Sequence, residues 1–148
     1  MKTSMKDIQQ GIVSNMRTWQ KVENASTAST GRIMEETENP IIRLVMEIIQ
    51  RDSQMHHNVQ EWIADSLESK ALSLSPDEVA GVWGMIEDHI AIEKKTMALA
   101  KESLEAIKDS KGMLIQAYLI EYLLEDEAKH TRMLEKLESI KKGMYPYA

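Results

Sequence analysis

Residues 112–141 read GMLIQAYLIEYLLEDEAKHTRMLEKLESIK, and this stretch decides the fold. Its apolar side chains recur at steps of three and four residues, which is the period of a helix with one buried stripe. The apolar members of the stripe are Ile115, Leu119, Tyr122, Met133 and Leu137. Between them, two stripe positions carry Asp126 and His130 instead. The pattern predicts a long helix whose buried stripe is interrupted by a carboxylate and an imidazole one turn apart.

Three breaks divide the rest of the chain into further segments of the same kind. At Asn39-Pro40 the residue before proline is pushed out of the α region, while proline itself is tolerated in a helix's first turn. Ser75-Pro76-Asp77-Glu78 predicts a helix start with a capping box. Gly112 marks the third break. The predicted helical segments cover residues 4–38, 40–68, 76–108 and 112–141.

The segments are related in pairs. Apolar positions of the second segment reappear in the fourth 74 residues later, as Ile41 does in Ile115. Those of the first reappear in the third 70 residues later, as Ile12 does in Val82. The chain therefore predicts two related helical hairpins. We expect an all-α, antiparallel four-helix bundle that forms a single domain over residues 1–148.

Composition narrows the class of protein. With only 3 prolines, 6 glycines and no phenylalanine, the chain has the make-up of long helices. The net charge of -6 offers no basic surface for nucleic acid. No run of eighteen apolar residues and no secretory signal are visible, so we expect a cytoplasmic protein without a membrane partner. Since there are 0 cysteines, any metal must be held by oxygen and nitrogen.

Charged residues occupy the centre of every stripe. They are Glu23, Asp52, His56, Glu93, Asp126 and His130. Asp52 and His56 correspond to Asp126 and His130 through the repeat, and Glu23 corresponds to Glu93. In antiparallel helices, residues equidistant from the connecting turn lie at one level, and these residues meet that condition at each turn. We expect the four carboxylates and both histidines to lie in one layer.

Buried carboxylates in such a layer need a charge of opposite sign, because each one otherwise carries a desolvation cost of several kcal/mol. Lysine and arginine fall mostly on the outer faces of the segments. Fe(II), Mn(II) and Zn(II) accept carboxylate oxygen and imidazole nitrogen, and two ions can share bridging carboxylates. The layer therefore predicts a metal site. An isolated Asp and His one turn apart, by contrast, usually form no more than a local ion pair.

The motifs resemble those of the ferritin-like superfamily, in its rubrerythrin-like branch. That pattern is a Glu from each of two helices and a Glu-x-x-His from each of the other two. Here the matching stretches are Glu23, RDSQMHH (residues 51–57), HIAIEKK (residues 89–95) and LEDEAKH (residues 124–130). The resemblance implies a bundle with two iron ions, manganese or zinc being the alternatives, that reacts with oxygen or peroxide.

The ligand set leaves alternatives open. Glu127-x-x-His130 fits the family pattern, but the second segment has Ser53-x-x-His56, so it has either Asp52 as its ligand or a degenerate site. Because Glu127 sits about 100° from Asp126 around the helix, we favour Asp126. His89 is an extra ligand, an outer partner or a core histidine. The predicted metal ligands are Glu23, Asp52, His56, Glu93, Asp126, Glu127 and His130.

Three hypotheses for function follow. The first is a di-iron oxidoreductase, a peroxidase or ferroxidase, whose electrons come from a separate donor because the chain lacks a cysteine-bound iron domain. The second is a protein that holds or senses metal without turnover. The third is a metal-free helical interaction protein whose polar layer sets helix register. A homodimer is the expected assembly. The short connection before Ser75 favours an up-down-up-down path, whereas the resemblance implies a crossover.

Overall fold

The computed structural model describes residues 2–144, and these residues form four α-helices and no strand. The helices are α1 (Met5–Glu36), α2 (Pro40–Glu68), α3 (Pro76–Ile107) and α4 (Leu114–Met144). The predicted all-α class is confirmed. The predicted boundaries agree with these helices to within three residues, with α1 ending earlier and α4 extending further than expected.

Local capping explains where the helices begin. Asn39 accepts hydrogen bonds from the backbone N–H groups of Ile41 and Ile42 at the start of α2. Ser75 and Glu78 form the predicted reciprocal capping box at the start of α3. Ser4 and Asp7 make a second capping box at the start of α1. Each such cap stabilises a helix by about 1 kcal/mol.

The helices pair into two hairpins, α1 with α2 and α3 with α4. The chain accordingly divides into two compact units, the first ending at Leu72 and the second beginning at Ser73. In the first unit, Arg17 bonds to Glu61 and Thr27 to Gln50, so the two helices run antiparallel. The predicted construction from two helical hairpins is confirmed. Each hairpin is described below by itself.

The contact between α1 and α2 is largely polar. Its buried members include Gln20, Glu23, Thr30, Ser53 and Gln60. Thr30 Oγ1 donates to the backbone oxygens of residues 26 and 27, which satisfies its hydroxyl within α1. Because buried polar groups are costly without partners, these cross-helix and local bonds determine which face of each helix turns toward its neighbour.

Candidate metal centre

Three potential metal ligands meet where α3 packs on α4. Glu93 lies at the middle of α3, and Glu127 and His130 lie three residues apart on one face of α4. One ligand atom from each of them can be chosen so that all lie within 4.8 Å of one another. Within residues 2–144, no other group of three or more such side chains is this close. We call Glu93, Glu127 and His130 the α3–α4 cluster.

The distances show how the α3–α4 cluster is arranged. His130 Nδ1 lies 3.5 Å from Glu93 Oε1 and 3.8 Å from Glu127 Oε2. His89, one turn before Glu93 on α3, places Nε2 3.0 Å from the same Glu93 oxygen. The Glu93 side chain is only 8% exposed, whereas that of His130 is 40% exposed. The cluster is therefore buried at Glu93 and open on the imidazole side.

The two carboxyl groups of the α3–α4 cluster have pKa values shifted in opposite directions. The hydrogen bond between them raises the pKa of Glu127 and lowers the pKa of Glu93. Burial further raises the pKa of Glu127, and the hydrogen bond with His89 further lowers that of Glu93. As the pH falls, Glu127 is therefore the first of the two to take up a proton, which it can then donate to Glu93 in a hydrogen bond. Two carboxyl groups this close are best satisfied by one positive charge between them, whether a proton or a metal ion.

This pair predicts a pH dependence of the metal-free protein. Because the folded-state pKa of Glu127 is raised, its contribution to the free energy of unfolding is present below the ordinary value of 4.5 and is lost as the pH rises through the raised pKa. Glu127→Gln keeps an N–H donor toward Glu93 but has no proton to lose. In urea unfolding with chelator present, the wild type should therefore lose stability above pH 4.5 relative to Glu127→Gln.

Glu125→Gln provides the control, since Glu125 is an exposed carboxylate on the same helix. It should follow the wild-type profile. Parallel profiles for wild type and Glu127→Gln would show that no proton is shared in the α3–α4 cluster. The lowered pKa of Glu93 has the opposite effect: its contribution to the free energy of unfolding is lost as the pH falls below the ordinary value of a glutamate. The loss of stability at higher pH therefore comes from Glu127, and only Glu127→Gln should remove it.

Asp126 has different partners from Glu127. Its Oδ1 accepts from Lys129 Nζ at 2.5 Å, and its Oδ2 lies 3.4 Å from His130 Nε2. Asp126 therefore approaches the ring nitrogen of His130 that is not near Glu93. Both acids lie near His130, but only Glu127 belongs to the group that also contains Glu93, so the choice of Asp126 over Glu127 as the ligand stays a prediction. A metal-binding imidazole is commonly oriented by a carboxylate that contacts its other ring nitrogen, which is the position of Asp126 relative to His130 Nε2.

The α1–α2 hairpin brings together fewer ligands. Glu23 Oε1 lies 3.3 Å from His56 Nδ1, which repeats the Glu93 and His130 contact of the other hairpin. Ser53, which corresponds to Glu127 through the repeat, forms a 2.9 Å hydrogen bond with Ser26. Gln60 Nε2 donates to Glu23 Oε1 across 3.4 Å. Neither a second carboxylate nor a second imidazole joins this pair among the groups found in residues 2–144.

Asp52 does not lie on the face of α2 that contacts α1. Asp52 is exposed, and its neighbour Ser53 is only 5% exposed. The apolar stripe predicts a different contact face, yet Val59 on that stripe is 49% exposed while Gln60 is 3% exposed. The face of α2 that touches α1 is thus rotated by one residue, about 100°, from the apolar stripe.

Comparison with models of known protein families, with curated proteins and with solved structures found no match. The class of protein is therefore defined by the fold and the site alone: paired helical hairpins with a carboxylate and histidine cluster between α3 and α4. Within residues 2–144, none of the helices has the length and apolar character that crossing a membrane requires. The resemblance to ferritin-like proteins stays a prediction from the motif residues.

Proposed function

We propose that this chain binds a divalent transition-metal ion through Glu93, Glu127 and His130. The observation that carries the proposal is the convergence of two carboxylates and one imidazole within 4.8 Å at the contact of α3 and α4. Two carboxylates balance the charge of a divalent ion. An oxygen and nitrogen donor set of this kind suits iron, manganese and zinc.

The surroundings of the α3–α4 cluster fit the same assignment. Glu93 is nearly buried, so its charge needs a local partner. His89 and Asp126 contact Glu93 and His130 from outside the three ligands, where they can orient them. Because a ligating carboxyl group must be deprotonated and the pKa of Glu127 is raised, metal affinity should fall as the pH falls.

Iron is the first choice of metal because of the resemblance, with manganese or zinc as alternatives. A bound ion of this kind supplies Lewis acidity and, for iron or manganese, a change of oxidation state. The chain itself holds the ion, keeps Glu93 away from water and leaves the His130 side open to small molecules. Three further features stay predictions: oxidoreductase activity toward oxygen or peroxide with a separate electron donor, a cytoplasmic location, and assembly as a homodimer.

Anaerobic loading with Fe(II), followed by air, tests the proposal and separates its variants. We expect protein purified without chelator to contain iron, manganese or zinc, and the desalted protein to bind added Fe(II). A visible absorption band of bridged iron after exposure to air would support the di-iron oxidoreductase, whereas bound metal without that band would support holding or sensing. Protein that binds none of the three metals would favour the metal-free hypothesis, in which the polar residues set helix register.

A further inference from the structure

The two hairpins differ at the positions that would complete a metal site. In the second hairpin His89 contacts Glu93, which lies with Glu127 and His130 in the α3–α4 cluster. The sequence repeat places Trp19, Glu23, Ser53 and His56 at the positions of His89, Glu93, Glu127 and His130 in the first hairpin. The first hairpin therefore has a hydroxyl, hydrogen-bonded within the protein, in place of the ligand Glu127, and an indole in place of the outer neighbour His89.

Charge balance also distinguishes the two hairpins as metal sites. Glu93 and Glu127 together offer two carboxylates to a divalent ion, whereas the first hairpin offers Glu23 alone. A divalent ion at Glu23 and His56 would leave one positive charge uncompensated next to a carboxylate that is only 9% exposed. The first hairpin also offers fewer protein ligands, since Glu23 and His56 contribute two donor groups and the α3–α4 cluster contributes three.

The polar groups around Glu23 already satisfy it without metal. Its Oε1 lies near His56 Nδ1 and accepts a hydrogen bond from Gln60 Nε2. Gln60 donates this bond from its amide N–H, and its own Oε1 is buried without a hydrogen-bond partner among the described residues. Ser53 and Ser26 bond to each other at 2.9 Å, which closes the position where Glu127 and Thr96 interact in the second hairpin.

We infer that each chain holds one metal ion, in the α3–α4 cluster, and that the α1–α2 hairpin has become a metal-free structural counterpart. This inference rests on the proposed function and corrects the two ions implied by the resemblance. It favours holding or sensing metal over di-iron chemistry, because a di-iron centre needs two ions and this inference assigns one ion to each chain.

Metal analysis of the full-length chain tests this inference. Protein saturated with Zn(II) or Mn(II) and then desalted should contain about one ion per chain, since the donor set is complete at one cluster only. His56→Ala should keep that ion and His130→Ala should lose it. Ser53→Glu restores the three-ligand pattern at Glu23 and His56, so it should raise the content to about two ions per chain.

The outcomes separate this inference from the proposed function. Wild-type protein with two ions, one of which is lost in His56→Ala, would overturn the inference while leaving metal binding intact. Wild-type protein with no ion would overturn both. Folded Ser53→Glu that still holds one ion would contradict the donor-count argument, and Gln54→Glu, an exposed neighbouring change, controls for added charge. If Ser53→Glu does not fold, His56→Ala and His130→Ala in the wild-type background decide the matter.

Discussion

Replacing His130 with alanine is expected to reduce the affinity for Fe(II), Mn(II) or Zn(II) by more than the roughly 100-fold that loss of an outer hydrogen-bond partner can cost. His130 Nδ1 faces both carboxyl groups of the α3–α4 cluster, so its removal takes away the only nitrogen of the proposed ligand set. Glu127→Gln should have a comparable effect, since the amide leaves one carboxylate to balance a divalent ion. Competition with a chromophoric chelator measures both.

Asp126→Asn is the matched comparison for these variants. Asp126 contacts the far nitrogen of His130 and pairs with Lys129, so we assign it an orienting role. Its replacement should weaken binding by roughly 10- to 100-fold without abolishing it. If Asp126→Asn abolishes binding while Glu127→Gln retains it, Asp126 is the ligand, as the apolar stripe suggested, and the assignment of Glu127 is wrong.

Removal of metal is expected to lower the melting temperature of the wild-type chain. An ion that binds only the folded state adds about 4 kcal/mol at a thousandfold excess over its dissociation constant. For a chain of this size, that free energy corresponds to a change in Tm of roughly 10 °C or more. Chelator should therefore produce a clear shift, and Fe(II), Mn(II) or Zn(II) should reverse it.

His130→Ala supplies the control for the melting experiment, because it should melt at one temperature with or without added metal. His56→Ala should retain the metal response, since His56 belongs to the hairpin with the incomplete donor set. Superimposable wild-type melting curves with chelator and with metal would leave the polar residues a structural role only. Circular dichroism at 222 nm follows the helices directly in each case.

The helices could be predicted from the sequence because their signals are local. Asn39 and Ser75 act through backbone groups two or three residues away, so a short stretch contains the whole cause of each helix start. The repeat added non-local information, since it related Glu23 with His56 to Glu93 with His130 before any contact was known. Both pairs do lie in contact within their hairpins.

The rotation of each helix could not be predicted in the same way. An apolar stripe shows where a helix is least polar, but the face it turns to its neighbour depends on which side chains on both helices fit together. In α2 the pairing of Ser53 with Ser26 and the burial of Gln60 determine that face, and Asp52 is left exposed. One residue of rotation, about 100°, also separates Asp126 from Glu127 on α4. Of these two acids, Glu127 is the one grouped with Glu93 and His130.

The roles of Trp19 and Ser53 were readable from the repeat, although they became informative only when the contacts were known. Aligning the hairpins sets Trp19 opposite His89 and Ser53 opposite Glu127. Without distances, His89 had no assigned partner. In the structure, His89 Nε2 lies 3.0 Å from Glu93 Oε1. The second hairpin thus has an imidazole nitrogen next to its central carboxylate, whereas the first hairpin has the indole of Trp19 at the corresponding position.

Crystals of the chain grown with Zn(II) or Fe(II), with diffraction recorded at the absorption edge of the metal, test the central claim most directly. An anomalous peak about 2.0–2.3 Å from Glu93, Glu127 and His130 Nδ1 is the predicted result. No peak in the α3–α4 cluster of a chain crystallised with excess metal, or a peak bound through Asp126 and His130 Nε2 instead, would contradict it.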